Sequence, residues 1–223
     1  VRRRADAPAP RGGAVTAGRR GGRVPVLHAI TNDVVLADPG FLLAARALMD
    51  AGGPRVAVHL RAAQTPARAL LERALELRVA AEATGSWVLV NDRLDVAMAA
   101  GTTGVQLTSR SLGVADARRV TPTLVIGASV HEPAEAWLAA AAGADFVVAG
   151  HVYATESHPG APGRGEGFLR EIVAAADGVP VIAIGGITPE RAVAVAAAGA
   201  HGVAAIRGIW FGDAPGAAKR YLA

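Results

Sequence analysis

The stretch VIAIGGITPERA, Val181 to Ala192, passes from four apolar residues through two glycines into Thr188-Pro189-Glu190-Arg191. A short apolar run stopped by Gly185-Gly186 reads as a buried strand that turns sharply. Pro189, at a first helical position and preceded by Thr188 as N-cap, reads as the start of a helix. The next unit repeats the grammar: GVAAIRGIW, Gly202 to Trp210, is an apolar run ending in Arg207-Gly208.

Working outward, the same alternation fills the chain from Pro25 onward. Runs at Val26–Ile30, Arg55–Leu60, Ser86–Val90, Gly104–Leu107, Leu124–Ser129, Asp145–Ala149, Pro180–Ile184 and Gly202–Ile206 are apolar almost throughout, as parallel strands covered on both faces require. Helical spacing separates them. In 66–84, Ala69, Leu70, Arg73, Leu77, Ala80 and Ala81 recur at steps of three and four, and Pro66 and Pro133 stand, like Pro189, where an N1 residue is tolerated. Eight strands alternating with helices predict an α/β fold, a single (β/α)8 TIM barrel over residues 25–223, with a doubly wound open sheet as the rival. In barrels the loops after strands seven and eight commonly hold a substrate phosphate. Glycines let backbone approach an anion, and a helix N-terminus offers unsatisfied N–H groups. Gly185, Gly186, Arg207 and Gly208 are therefore candidate binding positions for a phosphorylated small molecule; tight turns alone are the competing reading. No G-x-x-x-x-G-K-[ST] segment is present, which excludes a P-loop.

Composition narrows the classes further. The 223 residues are 52% hydrophobic but only 4% aromatic, so the core is Ala, Val, Leu and Ile; without cysteine there is no disulfide, thiolate nucleophile or Cys-ligated zinc. The net charge of +4 suggests nucleic acid until it is mapped. Residues 1–24 carry seven arginines against one acid, Asp6, leaving the remainder mildly acidic. This Arg/Gly/Pro-rich segment is expected to be a disordered, solvated extension. No nucleic-acid partner, membrane span or signal peptide is expected, and the chain reads as cytoplasmic.

The segments LHAITND, VNDRLDVA, GVQLTSRSL, IGASVHEPAEA, GADFVVAGHVYAT, PVIAIGGITPERA and GVAAIRGI resemble, in order, the thiamine phosphate synthase superfamily over roughly residues 26–221. SVH together with GHVY-T…G-GRG is closer to its TenI-like branch, the thiazole tautomerases. The resemblance implies a TIM barrel in thiamine biosynthesis and a homodimer. Synthase members join a pyrimidine pyrophosphate to a carboxythiazole phosphate with Mg²⁺. Here Asp92, beside Asn91, matches the first metal aspartate, while the second, in GQED, is Ser111. The lysine of REK is Ala63, although Arg61 remains, and ATESH keeps Thr155 but no lysine; Lys219 is the only lysine in the chain.

The tautomerase branch needs no metal and no leaving-group clamp. It moves a proton to aromatise a dihydrothiazole carboxylate phosphate, which suits imidazole near neutral pH. The resemblance assigns the transfer to His151, after strand six, with His131, after strand five, on the adjacent loop. It also assigns substrate contacts to Arg61, Asn91, Asp92, Thr155 and Arg164, the last on HPGAPGRG, a segment that resembles a cover over substrate. Arg207, where relatives carry a small residue, either adds a phosphate contact or obstructs the pocket. His28 and His59 either line the barrel interior or pack in the core. The expectation is thus a cofactor-free isomerase acting on a thiazole phosphate. A divergent synthase with Mg²⁺ is the alternative, and a non-catalytic thiazole-phosphate binder or regulatory relative the second.

Overall fold

The computed structural model describes residues 23–157 and 159–223. The extension expected over residues 1–24 falls, up to residue 22, outside the described residues, as does His158. Eight parallel strands close into a barrel in sequence order: β1 (Leu27–Ile30), β2 (Val56–Leu60), β3 (Trp87–Asn91), β4 (Gly104–Leu107), β5 (Val125–Val130), β6 (Phe146–Gly150), β7 (Val181–Ile184) and β8 (Gly202–Ala205). Register runs continuously round it, from Leu27 beside Val56 to Ile184 beside Ala204, and β8 returns to β1 with Ala204 beside His28. The open-sheet rival is excluded, and each strand lies within a residue or two of its sequence-based bounds.

Helices cover the outside: α1 (Asp33–Ala37), α2 (Phe41–Gly52), α3 (Ala67–Thr84), α4 (Leu94–Ala100), α5 (Val114–Val120), α6 (Pro133–Ala141), α7 (Gly165–Ala175), α8 (Pro189–Ala197), α9 (Arg207–Trp210) and α10 (Ala214–Leu222). Pro133 and Pro189 take first helical positions as expected. Pro66 does not: its ψ of 147° is extended, so it sits one place outside α3, which begins at Ala67. Along α3, Leu70, Ala74, Leu77 and Ala81 form the buried stripe.

Alternation along each strand divides the apolar residues between two cores. Leu27, Val58, Val90, Ile126 and Val147 face the helices. Val24, Ile30, Ala57, Trp87, Leu89, Val125, Phe146, Val148, Ile182 and Ala204 fill the barrel. Small residues face large ones: a side chain at Gly127 would run into the Phe146 ring. Val24, which the sequence reading left in the extension, is buried in this inner core, and its carbonyl is 2.7 Å from Nε2 of His201. His28 and His59 point inward and are wholly buried, with ring centroids 5.2 and 6.3 Å from that of Phe146.

The end of the barrel opposite the glycine loops is fastened by a buried ion pair. Arg118 donates to Asp145 at 2.7 Å, with side chains only 13% and 8% exposed. The guanidinium also reaches the carbonyls of Leu124 and Gly143, and the Asp145 carboxylate accepts from Ile126 N at 2.7 Å. Removing one partner leaves the other charge buried, at a cost of about 3–5 kcal/mol. Asp145→Ala should therefore lower unfolding free energy by about 3 kcal/mol in urea melts. Glu76→Ala, which breaks a half-exposed pair with Arg46, should change it by less than about 1 kcal/mol.

Candidate active site

The strand C-terminal ends carry the residues singled out from sequence, and β6 and β7 hold the tightest part. Gly185 (φ 105°) and Gly186 (φ 62°) have left-handed backbone that favours glycine. They are also pressed against the chain after β6. A Cβ at 185 would stand 2.8 Å from His151 Cα, and one at 186 would stand 3.0 Å from Tyr153 Cβ. Hydrogen bonds from Val152 N to Ile184 O and from Tyr153 N to Gly185 O lock the two loops together. The glycines thus serve loop packing first. Neither Gly186 N nor Ile187 N donates to a protein group among the described residues, so both remain available to an anion.

The N-terminus of α8 itself is partly occupied. Thr188 has the extended backbone of an N-cap, but its hydroxyl makes no capping bond. It pairs instead with the Glu190 carboxylate, which also takes its own N–H and is held below the usual carboxylate range by those contacts. The N–H groups without a protein partner among the described residues are therefore those of the 185–187 turn. Arg191 braces that turn, donating to Gly186 O at 2.6 Å and lying 4.5 Å over the Tyr153 ring. Tyr153 in turn donates to Glu166 at 2.6 Å.

His131 and His151 meet through Gly150. His131 Nδ1 lies 3.0 Å from Gly150 O, so the proton is on Nδ1 and Nε2 is the basic nitrogen of the neutral ring. His151 Nε2 lies 3.0 Å from Pro162 O, which puts a proton on Nε2. Arg164, predicted to meet a substrate anion, joins the two histidine loops. It donates to His131 O and to Glu132 Oε1, its backbone N reaches His151 O, and its guanidinium stacks 3.7 Å over Phe168. Its charge is thus already engaged by the protein.

Arg207 crosses the mouth to pair with Glu156 of the β6–α7 loop, both side chains largely exposed. Exposed pairs of this kind contribute about 0–1 kcal/mol, so an incoming anion can compete for the arginine. Gly208 is held for packing: a side chain there would crowd the Tyr221 hydroxyl, which donates to Ile187 O at 2.8 Å. Thr155 lines a surface cleft with Ala154, Glu156, Pro159, Gly160, Ala161 and Pro162.

Across the mouth, Asn91 ends β3 and faces inward, nearly buried, beside Gln106 of β4. Gln106 Nε2 is 3.0 Å from Ser129 Oγ. Asp92, with φ of 62°, accepts on Oδ1 from Thr108 N at 3.1 Å, from Thr108 Oγ1 at 2.6 Å and from Ser111 Oγ. A Mg²⁺ site needs hard oxygen donors left open to the ion, usually carboxylates. Here one carboxylate is present, three donors converge on one of its oxygens, and among the described residues no trio of acidic or histidine side chains could hold a metal. The protein offers no closed cage for Mg²⁺; an ion held together with substrate phosphates would need only the one or two carboxylates such sites use, of which Asp92 is one.

Arg61 follows β2, and its guanidinium has no protein partner among the described residues; its backbone is fixed by reciprocal bonds with the Thr31 hydroxyl. The loop beyond it holds a residue the sequence reading missed. Asp33 accepts from Ala63 N, Gln64 N, Thr65 N and Thr65 Oγ1, all within 3.0 Å. The Ala63 N–H and the other loop donors hold this carboxyl down to about 2. These bonds span about thirty positions in the chain, and no local pattern announces them. The loop's anion-binding amides are therefore filled from within.

Among the described residues no helix is long and apolar enough to cross a membrane. Residues 27–209 match the family TMP-TENI, described as thiamine monophosphate synthase. The thiamine-phosphate synthase of Methanoculleus marisnigri is 46% identical over 175 residues, covering 77% of this chain and 82% of the relative. The bifunctional protein ThiM/ThiE of Symbiobacterium thermophilum is 45% identical over 74% of this chain, a match that spans only 35% of that longer protein. In structure, the thiamine phosphate pyrophosphorylase of Pyrococcus furiosus superposes with a TM-score of 0.77 at 30% identity, covering 88% of this chain and 93% of the other.

Because its pKa is depressed, Asp33 contributes stability that is complete above the ordinary value of 3.8 and lost as pH falls toward about 2. Asp33→Asn should be less stable than the parent at neutral pH, and chemical melts should converge as pH falls through that window.

Proposed function

The chain belongs to the thiamine monophosphate synthase family, and from that premise we propose that it is the isomerase of that chemistry, aromatising a dihydrothiazole carboxylate phosphate without metal. The observation that carries this reading is the pair of imidazoles on consecutive strands. Each commits one nitrogen to a backbone carbonyl, His151 lies against Gly185 of the glycine turn, and His131 joins it through Gly150.

The reaction moves a proton and neither gains nor loses an atom. One leaves the saturated ring carbon, and one is returned to the exocyclic alkene carbon as the ring becomes aromatic. His151 acts as the proton-transfer group and His131 as its partner or as an orienting base. The phosphate rests on the N–H groups of Gly186 and Ile187, with Arg207 able to turn from Glu156 toward it. Arg61, after β2, is available to the substrate carboxylate.

A second reading, the transferase that joins a pyrimidine pyrophosphate to a thiazole phosphate, is favoured by the names of the relatives. Relatives at 36–46% identity, that of Methanoculleus marisnigri among them, are called thiamine-phosphate synthases. Against it stand the residues: Ser111 bonded to Asp92, Ala63 in a loop filled by Asp33, and no lysine in the ATESH segment that follows β6.

The purified chain, given the dihydrothiazole phosphate with a chelator present, should aromatise it, followed by absorbance. His151→Ala should retain its circular dichroism and slow the reaction at least about tenfold, the low end for loss of a general acid–base. Efficient condensation with pyrimidine pyrophosphate and Mg²⁺, with no turnover of the single substrate, would establish the transferase instead.

A further inference from the structure

Two buried histidines lie directly beneath Asn91. His28 Nε2 is 3.0 Å from the carbonyl of Pro25, and His28 Nδ1 is 2.7 Å from His59 Nε2. His59 Nδ1 and Asn91 Oδ1 make no hydrogen bond of good geometry as they are oriented, although the Asn91 side chain lies within hydrogen-bonding reach of His59. Buried polar atoms are rarely left so.

The orphans disappear once the direction of each bond is worked out. A proline carbonyl can only accept, so His28 Nε2 carries a proton. Both rings are fully buried among neutral groups, which favours their uncharged forms. Burial accordingly pushes the His28 imidazole down to about 3 and His59 well below its ordinary value. A neutral His28 then has a bare Nδ1, which forces His59 Nε2 to donate and leaves His59 Nδ1 bare in turn. Facing that lone pair, the Asn91 carbonyl is repelled and the Asn91 NH₂ is attracted. Amide oxygen and nitrogen are distinguished only by such reasoning, so the amide belongs the other way round. The oxygen then takes the other amide position, on a side chain that keeps 6% of its surface exposed at the C-terminal end of β3.

We infer that Pro25, His28 and His59 form a one-way hydrogen-bond chain from the barrel floor that fixes the Asn91 amide, so that Asn91 presents its carbonyl oxygen to the active site. His28 and His59 are then positioning residues, and position 91 selects a ligand group bearing an N–H or O–H donor over an acceptor. Neighbouring Gln106 is not constrained in this way, because its partner Ser129 is a hydroxyl that can donate or accept. The inference concerns what the site offers and holds for either reaction.

Two-bond ¹H–¹⁵N correlation spectra of the full chain labelled at histidine read the tautomers directly. In the parent, His28 and His59 should both be neutral and protonated at Nε2. His28→Leu removes the acceptor beneath His59 and should switch that ring to the Nδ1–H form. Asn91→Leu should leave both rings as they were, because the direction is set from below. A parent His59 protonated at Nδ1 or charged would overturn the proposal, as would a switch caused by Asn91→Leu and not by His28→Leu. If His28→Leu does not fold, the parent and Asn91→Leu spectra decide alone.

Discussion

Two chain segments after β6 and β7 approach so closely that no side chain fits between them, and the mouth of the barrel is organised by that contact. Gly185 lies against His151, and Gly186 against Tyr153 and Ala154, both glycines in left-handed backbone. The contact turns the N–H groups at 186 and 187 away from protein partners and places the His151 loop beside them. Through Gly150 it also reaches His131 on β5. A substitution at either glycine would move a histidine as well as an anion site, so loss of ligand binding there cannot be assigned to charge or crowding at the anion alone.

The acidic groups around the same rim are already in use. Asp92 takes Thr108 and Ser111, Asp33 takes the amides of 63–65, and Glu190 takes Thr188 and its own N–H. Carboxylates held this way preorganise the loops that carry them. Basic groups show the opposite division. Arg164 and Arg191 are tied into the framework, while Arg61, after β2, and the loosely paired Arg207, after β8, follow the two strands that flank β1.

The barrel was legible because its signals are local. Each strand is a short apolar run, glycine or proline marks its ends, and VIAIGGITPERA carries strand, turn and helix start within twelve positions. The histidines after β5 and β6 were legible for the same reason. What could not be read were pairings set by closure of the barrel: Asp33 with the 63–65 loop, Arg118 with Asp145, Arg207 with Glu156, and His28 with His59. Each joins positions tens of residues apart whose side chains give no periodic sign of their partner. Arg164 shows the same limit: its guanidinium suited an anion in the sequence, and only the fold reveals the His131 carbonyl and Glu132 waiting for it.

The most direct measurement is the place where a thiazole phosphate lands. Backbone amide spectra of the ¹⁵N-labelled full chain, titrated with carboxythiazole phosphate, separate the two ends of the mouth. The largest shifts are expected at Gly186, Ile187 and the Arg207 turn, with the His131 and His151 loops following. Shifts concentrated instead at Arg61–Thr65, with 186 and 187 unmoved, would contradict the account.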